Sequence, residues 1–217
     1  MTTKSKYLKL IPDRKDLWRN KKALIMGLGT SLKLFEPYKG LEDKYNLITI
    51  GVNDIGEFIK PDYLCVFDTP QSFESKRIKT ILDMDDTMMI TFYPGIWEKY
   101  GKSPHRIIEV GMAGNENWNH LDENAIPQGL TSTYMAACCA HIMGCKTIGL
   151  IGVDFTPNHY NNQDGEHNMS DRLKDINALY ARLVRDLDQR GTKIYNLSPT
   201  SRIETVPSMI LDVFMSL

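Results

Sequence analysis

Lys22-Ala23-Leu24-Ile25-Met26-Gly27-Leu28-Gly29-Thr30-Ser31-Leu32 is a short apolar run that opens onto a glycine-rich, hydroxyl-bearing turn. Such a run reads as a buried strand followed by a tight turn. Two further runs follow the same plan. Asn46-Leu47-Ile48-Thr49-Ile50-Gly51-Val52 stops at Asn53-Asp54, and Tyr63-Leu64-Cys65-Val66-Phe67 stops at Asp68-Thr69-Pro70. Strands that each end in small or polar residues are what the carboxyl edge of a parallel sheet looks like, where ligands bind.

Downstream, Thr87–Phe92 and His105–Val110 are weaker strand candidates, and the Asn-rich stretch 112–128 reads as a surface loop. Gly129-Leu130-Thr131-Ser132 then supplies a hydroxyl cap for a helix running through Met143, with Gly144 as its left-handed stop. Lys146–Val153 is a buried strand ending at Asp154-Phe155. Ser170 is expected to cap a helix of about twenty residues closed by Gly191, because Leu173, Ile176, Leu179, Tyr180, Leu183 and Leu187 fall on one helical face. Thr192–Leu197 is the last strand. Alternating strands and helices give an α/β fold with a mainly parallel sheet flanked by helices. With no repeat and no linker, residues 1–217 read as a single domain, with a charged leader over 1–20.

Composition narrows the function. Hydrophobic residues are 42% and charged residues 24% of the chain, which excludes disordered and fibrous classes. Twenty-six basic against 27 acidic side chains remove the electrostatic case for a dedicated nucleic-acid or polybasic membrane binder. No run is long and apolar enough to span a bilayer, and the polar start lacks a signal-peptide core. Cys65, Cys138, Cys139 and Cys145 contain no C-x-x-C pair, so neither zinc nor a disulfide framework is indicated. Buried thiols in a reducing cytoplasm are the expectation. The apolar carboxyl end, Val206 to Met215, reads as a core helix, with a subunit contact in a homo-oligomer as the alternative.

Several residues are candidates for chemistry. Gly27 and Gly29 let the backbone approach a ligand, and Thr30 and Ser31 offer hydroxyls to phosphate. The loop is neither G-x-G-x-x-G nor a Walker loop. Asn53 is placed to meet a ribose or base from the sheet edge, or else to cap a turn. Asp68 and Asp154 end strands, where a carboxylate can hold Mg²⁺ or a ribose hydroxyl or cap a helix. His167, just before the last long helix, has the imidazole needed to take a proton near pH 7.

Together Gly-Leu-Gly-Thr-Ser-Leu (27–32), Val-Asn-Asp (52–54), Thr-Ser-Thr-Tyr-Met-Ala-Ala (131–137), Gly-Cys-Lys-Thr-Ile-Gly-Leu-Ile-Gly-Val-Asp-Phe (144–155), His167 and Leu-Ser-Pro-Thr-Ser (197–201) resemble a known family. The chain is similar to the bacterial sialyltransferases of glycosyltransferase family 42, and equally to their distant relatives, the 6-hydroxymethylpterin diphosphokinase-like proteins. The similarity runs in islands over most of the chain, is most specific over 129–155 and is absent over 71–128.

The resemblance implies a Rossmann-like domain that grips a nucleotide-activated sugar donor and passes the sugar to an acceptor hydroxyl with inversion, with no obligatory metal or cofactor. It places Asn53 on a ribose or base contact, Thr131 and Ser132 on the donor phosphate and base, and Ser198 to Ser201 on a late loop near the nucleotide. It makes His167 the catalytic base and Tyr160 a partner of the leaving phosphate, shared with Arg172 or Arg202. The family's glycine loop reads Gly-Asn-Gly-Pro-Ser-Leu. Leu28 and Thr30 depart from it, which bears on the CMP donor more than on the fold. The second relative implies a phosphoryl transferase using a nucleoside triphosphate and Mg²⁺ held by Asp68 and Asp154. A third reading, favoured by Leu28 and the single tyrosine, is a nucleotide-binding protein without turnover.

Overall fold

The computed structural model describes residues 6–114, 124–156 and 170–217. Its strands are β1 (Leu8–Lys9), β2 (Lys22–Met26), β3 (Leu47–Val52), β4 (Tyr63–Cys65), β5 (Met88–Thr91), β6 (Ile107–Glu109), β7 (Gly111–Ala113), β8 (Ala125–Pro127), β9 (Thr147–Ile151) and β10 (Lys193–Asn196). Its α-helices are α1 (Ser75–Asp83), α2 (Pro94–Lys99), α3 (Ser132–Ile142), α4 (Leu173–Gln189) and α5 (Leu211–Ser216). Eight strands form one sheet in the order β1-β6-β5-β4-β3-β2-β9-β10. Every neighbouring pair in it is parallel. This is the Rossmann-like α/β architecture that the sequence leads one to expect.

Both faces of the sheet are covered, which is why β2 and β3 are buried at every position rather than alternately. Ala23 and Ile25 pack with Ala136, Ala137 and Ala140 of α3 and with Ile176 and Leu183 of α4 on one face. Leu24 and Met26 pack with Phe35, Trp97 and Phe214 on the other. The small side chains along α3 let it lie close over β2, β3 and β9. Gly144, at φ +97°, ends that helix where a Cβ would strike the backbone of Arg19 at 2.9 Å. Of the apolar carboxyl end, expected to be helical from Val206 to Met215, only the last part forms a core helix, α5. Leu211, Phe214 and Met215 of α5 are buried, and the buried Lys22 ammonium donates to the carbonyls of Phe214 (3.1 Å) and Met215 (2.6 Å).

Four details are absent from the sequence reading. The charged leader contributes β1, which adds to the sheet edge through β6, and Leu10, which is fully buried. The stretch expected as a loop over 112–128 carries, at its described ends, parts of β7 and β8, paired in parallel as a separate small sheet. The segment after the glycine loop, Thr30–Tyr38, is a 3₁₀ helix containing Pro37. The last long helix starts at Leu173 rather than at Ser170, which opens a 3₁₀ turn ahead of it. Among the described residues no helix is long and apolar enough to cross a membrane.

Candidate functional site

The sheet runs outward from β2 through β3, β4, β5 and β6 in one direction and through β9 and β10 in the other. The gap between β2 and β9 is therefore the point where the topology reverses, and crevices for ligands form outside the carboxyl ends of such strands. The loops carrying Gly27–Ser31, Asn53, Asp68, Asp154 and Ser198–Ser201 all leave the sheet at this edge.

Gly27 and Gly29 are required by the protein itself. A Cβ on Gly27 would sit 2.3 Å from the Gly152 carbonyl oxygen, and one on Gly29 would sit 2.6 Å from the Asp154 carboxylate. The Gly27 and Gly29 amides instead donate to the Ile151 carbonyl (2.8 Å) and the Gly152 carbonyl (2.7 Å). The glycine turn is thus pressed onto the turn after β9, backbone against backbone.

Asp154, 1% exposed, is the centre of this contact. Its Oδ2 accepts from the Ser31 amide (2.8 Å) and the Thr30 hydroxyl (3.2 Å). Its Oδ1 accepts from the Ser31 hydroxyl and from the Ser198 hydroxyl, the latter at 2.5 Å. Ser31 Oγ in turn accepts from the Gly152 amide at 2.9 Å. Ser201 donates to the Val153 carbonyl (2.8 Å), and the Arg202 amide donates to the Asp154 carbonyl (2.8 Å). The hydroxyls of Thr30, Ser31, Ser198 and Ser201, expected near a nucleotide, join three loops in this structure. Asp154 has both oxygens filled by such donors, an arrangement unlike the open carboxylate that Mg²⁺ would need.

Asn53 is built differently. It follows β3 in the left-handed region, φ +54°, which asparagine tolerates better than most residues. Its amide donates to the Cys65 carbonyl at 3.1 Å. Its side-chain Oδ1 is buried and has no hydrogen-bond partner among the described residues. A buried polar atom left unpaired costs roughly 1–3 kcal/mol. Next to it, Asp54 pairs with Arg77 of α1 at 2.7 Å. Partial burial raises the Asp68 carboxyl above the usual carboxylate range, opposed by the Arg77 charge.

On the other side, Thr131 caps α3 by accepting from the Tyr134 amide at 3.2 Å. Its hydroxyl and that of Thr133 meet the Tyr180 hydroxyl of α4 at 3.2 and 2.7 Å. Ser132 stands half-buried at the first helical position. Tyr180 and Arg77 escaped the sequence reading. Tyr180 is indistinguishable there from an apolar position of the α4 stripe, and Arg77 lies in a region without motifs.

The Tyr180 hydroxyl carries a testable consequence. Burial pushes its pKa up to about 12, while the unfolded chain titrates near 10. With the folded value raised, this contribution to stability is complete below pH 10 and is lost as pH rises toward 12. The loss amounts to about 1.4 kcal/mol per pH unit for one group. Denaturant unfolding at pH 9, 10 and 11 should therefore fall less steeply for Tyr180→Phe than for the parent, and equal slopes would refute this account.

His167 and Tyr160 lie outside the described residues. The chain shares its fold with a sialyltransferase. The structure of sialyltransferase CstII in complex with a trisaccharide acceptor and CMP matches with a TM-score of 0.55 and 16% identity, over 87% of this chain and 86% of that one. CstII from Campylobacter jejuni in complex with CMP-3FNeuAc, described as a substrate analogue, matches with a TM-score of 0.55 and 15% identity, over 87% and 86%. No family model and no curated protein matches the chain. The resemblance carried by the sequence islands thus extends to the fold of nearly the whole chain.

Proposed function

We propose that this protein is a sialyltransferase-like glycosyltransferase that takes a sugar from a nucleotide-activated donor and passes it to an acceptor hydroxyl with inversion. The observation that carries the reading is Asn53. A left-handed asparagine with an orphaned buried oxygen stands at the carboxyl edge of a sheet whose fold is shared with an enzyme seen with CMP bound. In this reading Asn53 receives a hydrogen bond from the ribose or base. The Thr131 cap and Ser132 place the amino end of α3 at the donor phosphate, where free N–H groups and the helix dipole favour negative charge. His167 deprotonates the acceptor hydroxyl, which attacks the anomeric carbon as the nucleotide departs. Charge on the leaving phosphate is neutralised by the α3 amino end and Tyr160, without an obligatory metal.

The clamp around Asp154 gives this reading preference over Mg²⁺-dependent phosphoryl transfer. It occupies one of the two carboxylates on which that chemistry would rest.

Thermal unfolding against CMP, UDP, GDP, their sugar conjugates and ATP, each with and without Mg²⁺, tests the reading. A ligand at about a hundred times its Kd adds roughly 2.7 kcal/mol, which moves the midpoint by on the order of 5–10 °C for a domain of this size. The expected result is a metal-independent shift with one pyrimidine or purine diphosphate or monophosphate family. A shift with ATP and Mg²⁺ alone would replace the transferase by the phosphoryl-transfer reading.

A further inference from the structure

Asn53 is held in place from a distance. The turn that follows it, Ile55–Glu57, is tied to α1 at consecutive positions: Arg77 pairs with Asp54 at 2.7 Å and Lys76 pairs with Glu57 at 2.7 Å. The two ties are unequal. The Lys76 side chain is 71% exposed, so its pair contributes little. Asp54 is only 13% exposed, and the Arg77 guanidinium lies over the Phe73 ring at 4.8 Å, which fixes the plane of its fork before it meets the carboxylate. Behind the turn, a Cβ on Gly56 would meet Met84 Sδ at 2.6 Å, so the backbone also packs tightly against the end of α1. A left-handed residue persists only where its surroundings over-determine it.

We infer that Arg77 is the positioning residue of the nucleotide edge: through Asp54 it locks the turn that presents the Asn53 amide to the ligand. The inference rests on the reading of Asn53 as a ligand contact. Arg77 touches no reacting atom. It keeps the Asn53 carbonyl oxygen in one orientation, so that a donor N–H or O–H meets it without a prior cost of ordering. Losing that lock should weaken nucleotide binding by about tenfold, the value of roughly one hydrogen bond.

The test compares the parent with Arg77→Gln, Arg77→Lys and Asn53→Ala. Each is titrated calorimetrically with CMP, UDP and GDP and followed by amide hydrogen exchange. The expected result for Arg77→Gln is faster exchange at Asn53 and through Ile55–Glu57, unchanged exchange in β3, a midpoint within a few degrees of the parent, and about tenfold weaker nucleotide binding. Arg77→Lys keeps a cation for Asp54 and should recover part of both effects. Unchanged exchange over 53–57 in Arg77→Gln overturns the inference. So does unchanged affinity in Arg77→Gln where Asn53→Ala has lost it. If Asn53→Ala binds as the parent does, the reading of Asn53 as a ligand contact falls, and the exchange data alone still decide whether Arg77 holds the turn.

Discussion

Asp154→Ala is expected to unfold roughly 10–15 °C below the parent. The Asp154 carboxylate serves the Ser31 amide and the hydroxyls of Thr30, Ser31 and Ser198, in a pocket from which solvent is almost excluded. Alanine removes all of these acceptors at once. Each buried donor left unmade costs about 1–3 kcal/mol, but hydroxyls can turn to other acceptors and water can enter the space the side chain leaves. About 3–5 kcal/mol is therefore the expected net loss. Asp154→Asn separates hydrogen bonding from shape. It keeps one acceptor oxygen, and the serine hydroxyls can reverse to accept from its amide, so it should lose about half as much. Denaturant or thermal unfolding of both variants reads the result. A midpoint within 2–3 °C of the parent for Asp154→Ala would mean that the three loops are joined by something other than this carboxylate.

How far the sequence could be read is set by which interactions are local. Runs such as Ala23–Met26, Ile48–Val52 and Ile148–Ile151 announce themselves because a parallel sheet covered on both faces buries every residue. The α3 segment is equally legible, since its cap, Thr131, and its stop, Gly144, lie within its own chain segment. The leader concealed β1 because a two-residue edge strand amid charges has no period to detect. Thr30–Tyr38 is a 3₁₀ helix, whose tighter hydrogen-bond pattern composition does not register. The candidate site shows the same division. Gly27, Gly29, Ser31, Asp154 and Ser198 were recognisable as special, yet their mutual contacts were not. Ser31 and Asp154 stand 123 residues apart, and only the adjacency of β2 and β9 brings them together. Arg77 was invisible for a related reason: its partners are Asp54, on another element, and the ring of Phe73, in the extended segment ahead of α1.

The largest effect on activity is expected at His167. His167→Ala should lower turnover by about a hundredfold to ten-thousandfold, the range for loss of a positioned general base. His167 stands a few residues ahead of α4, and α4 is joined to the amino end of α3 by the Tyr180 hydroxyl on Thr131 and Thr133. α4 is thereby tied to the proposed phosphate-binding end. Three measurements separate a base from a structural histidine. Nucleotide affinity should stay within about twofold, because a proton acceptor for the acceptor hydroxyl adds nothing to donor binding. Any acidic limb in the parent's rate profile that belongs to this base should vanish in the variant. The unfolding midpoint should not move. Turnover equal to the parent would remove His167 from the mechanism. A parent that binds one nucleotide tightly and turns over with no acceptor would instead leave a nucleotide-binding protein that has kept the fold and Asn53 without the transfer, and Leu28 in the glycine turn would then be the first position to change.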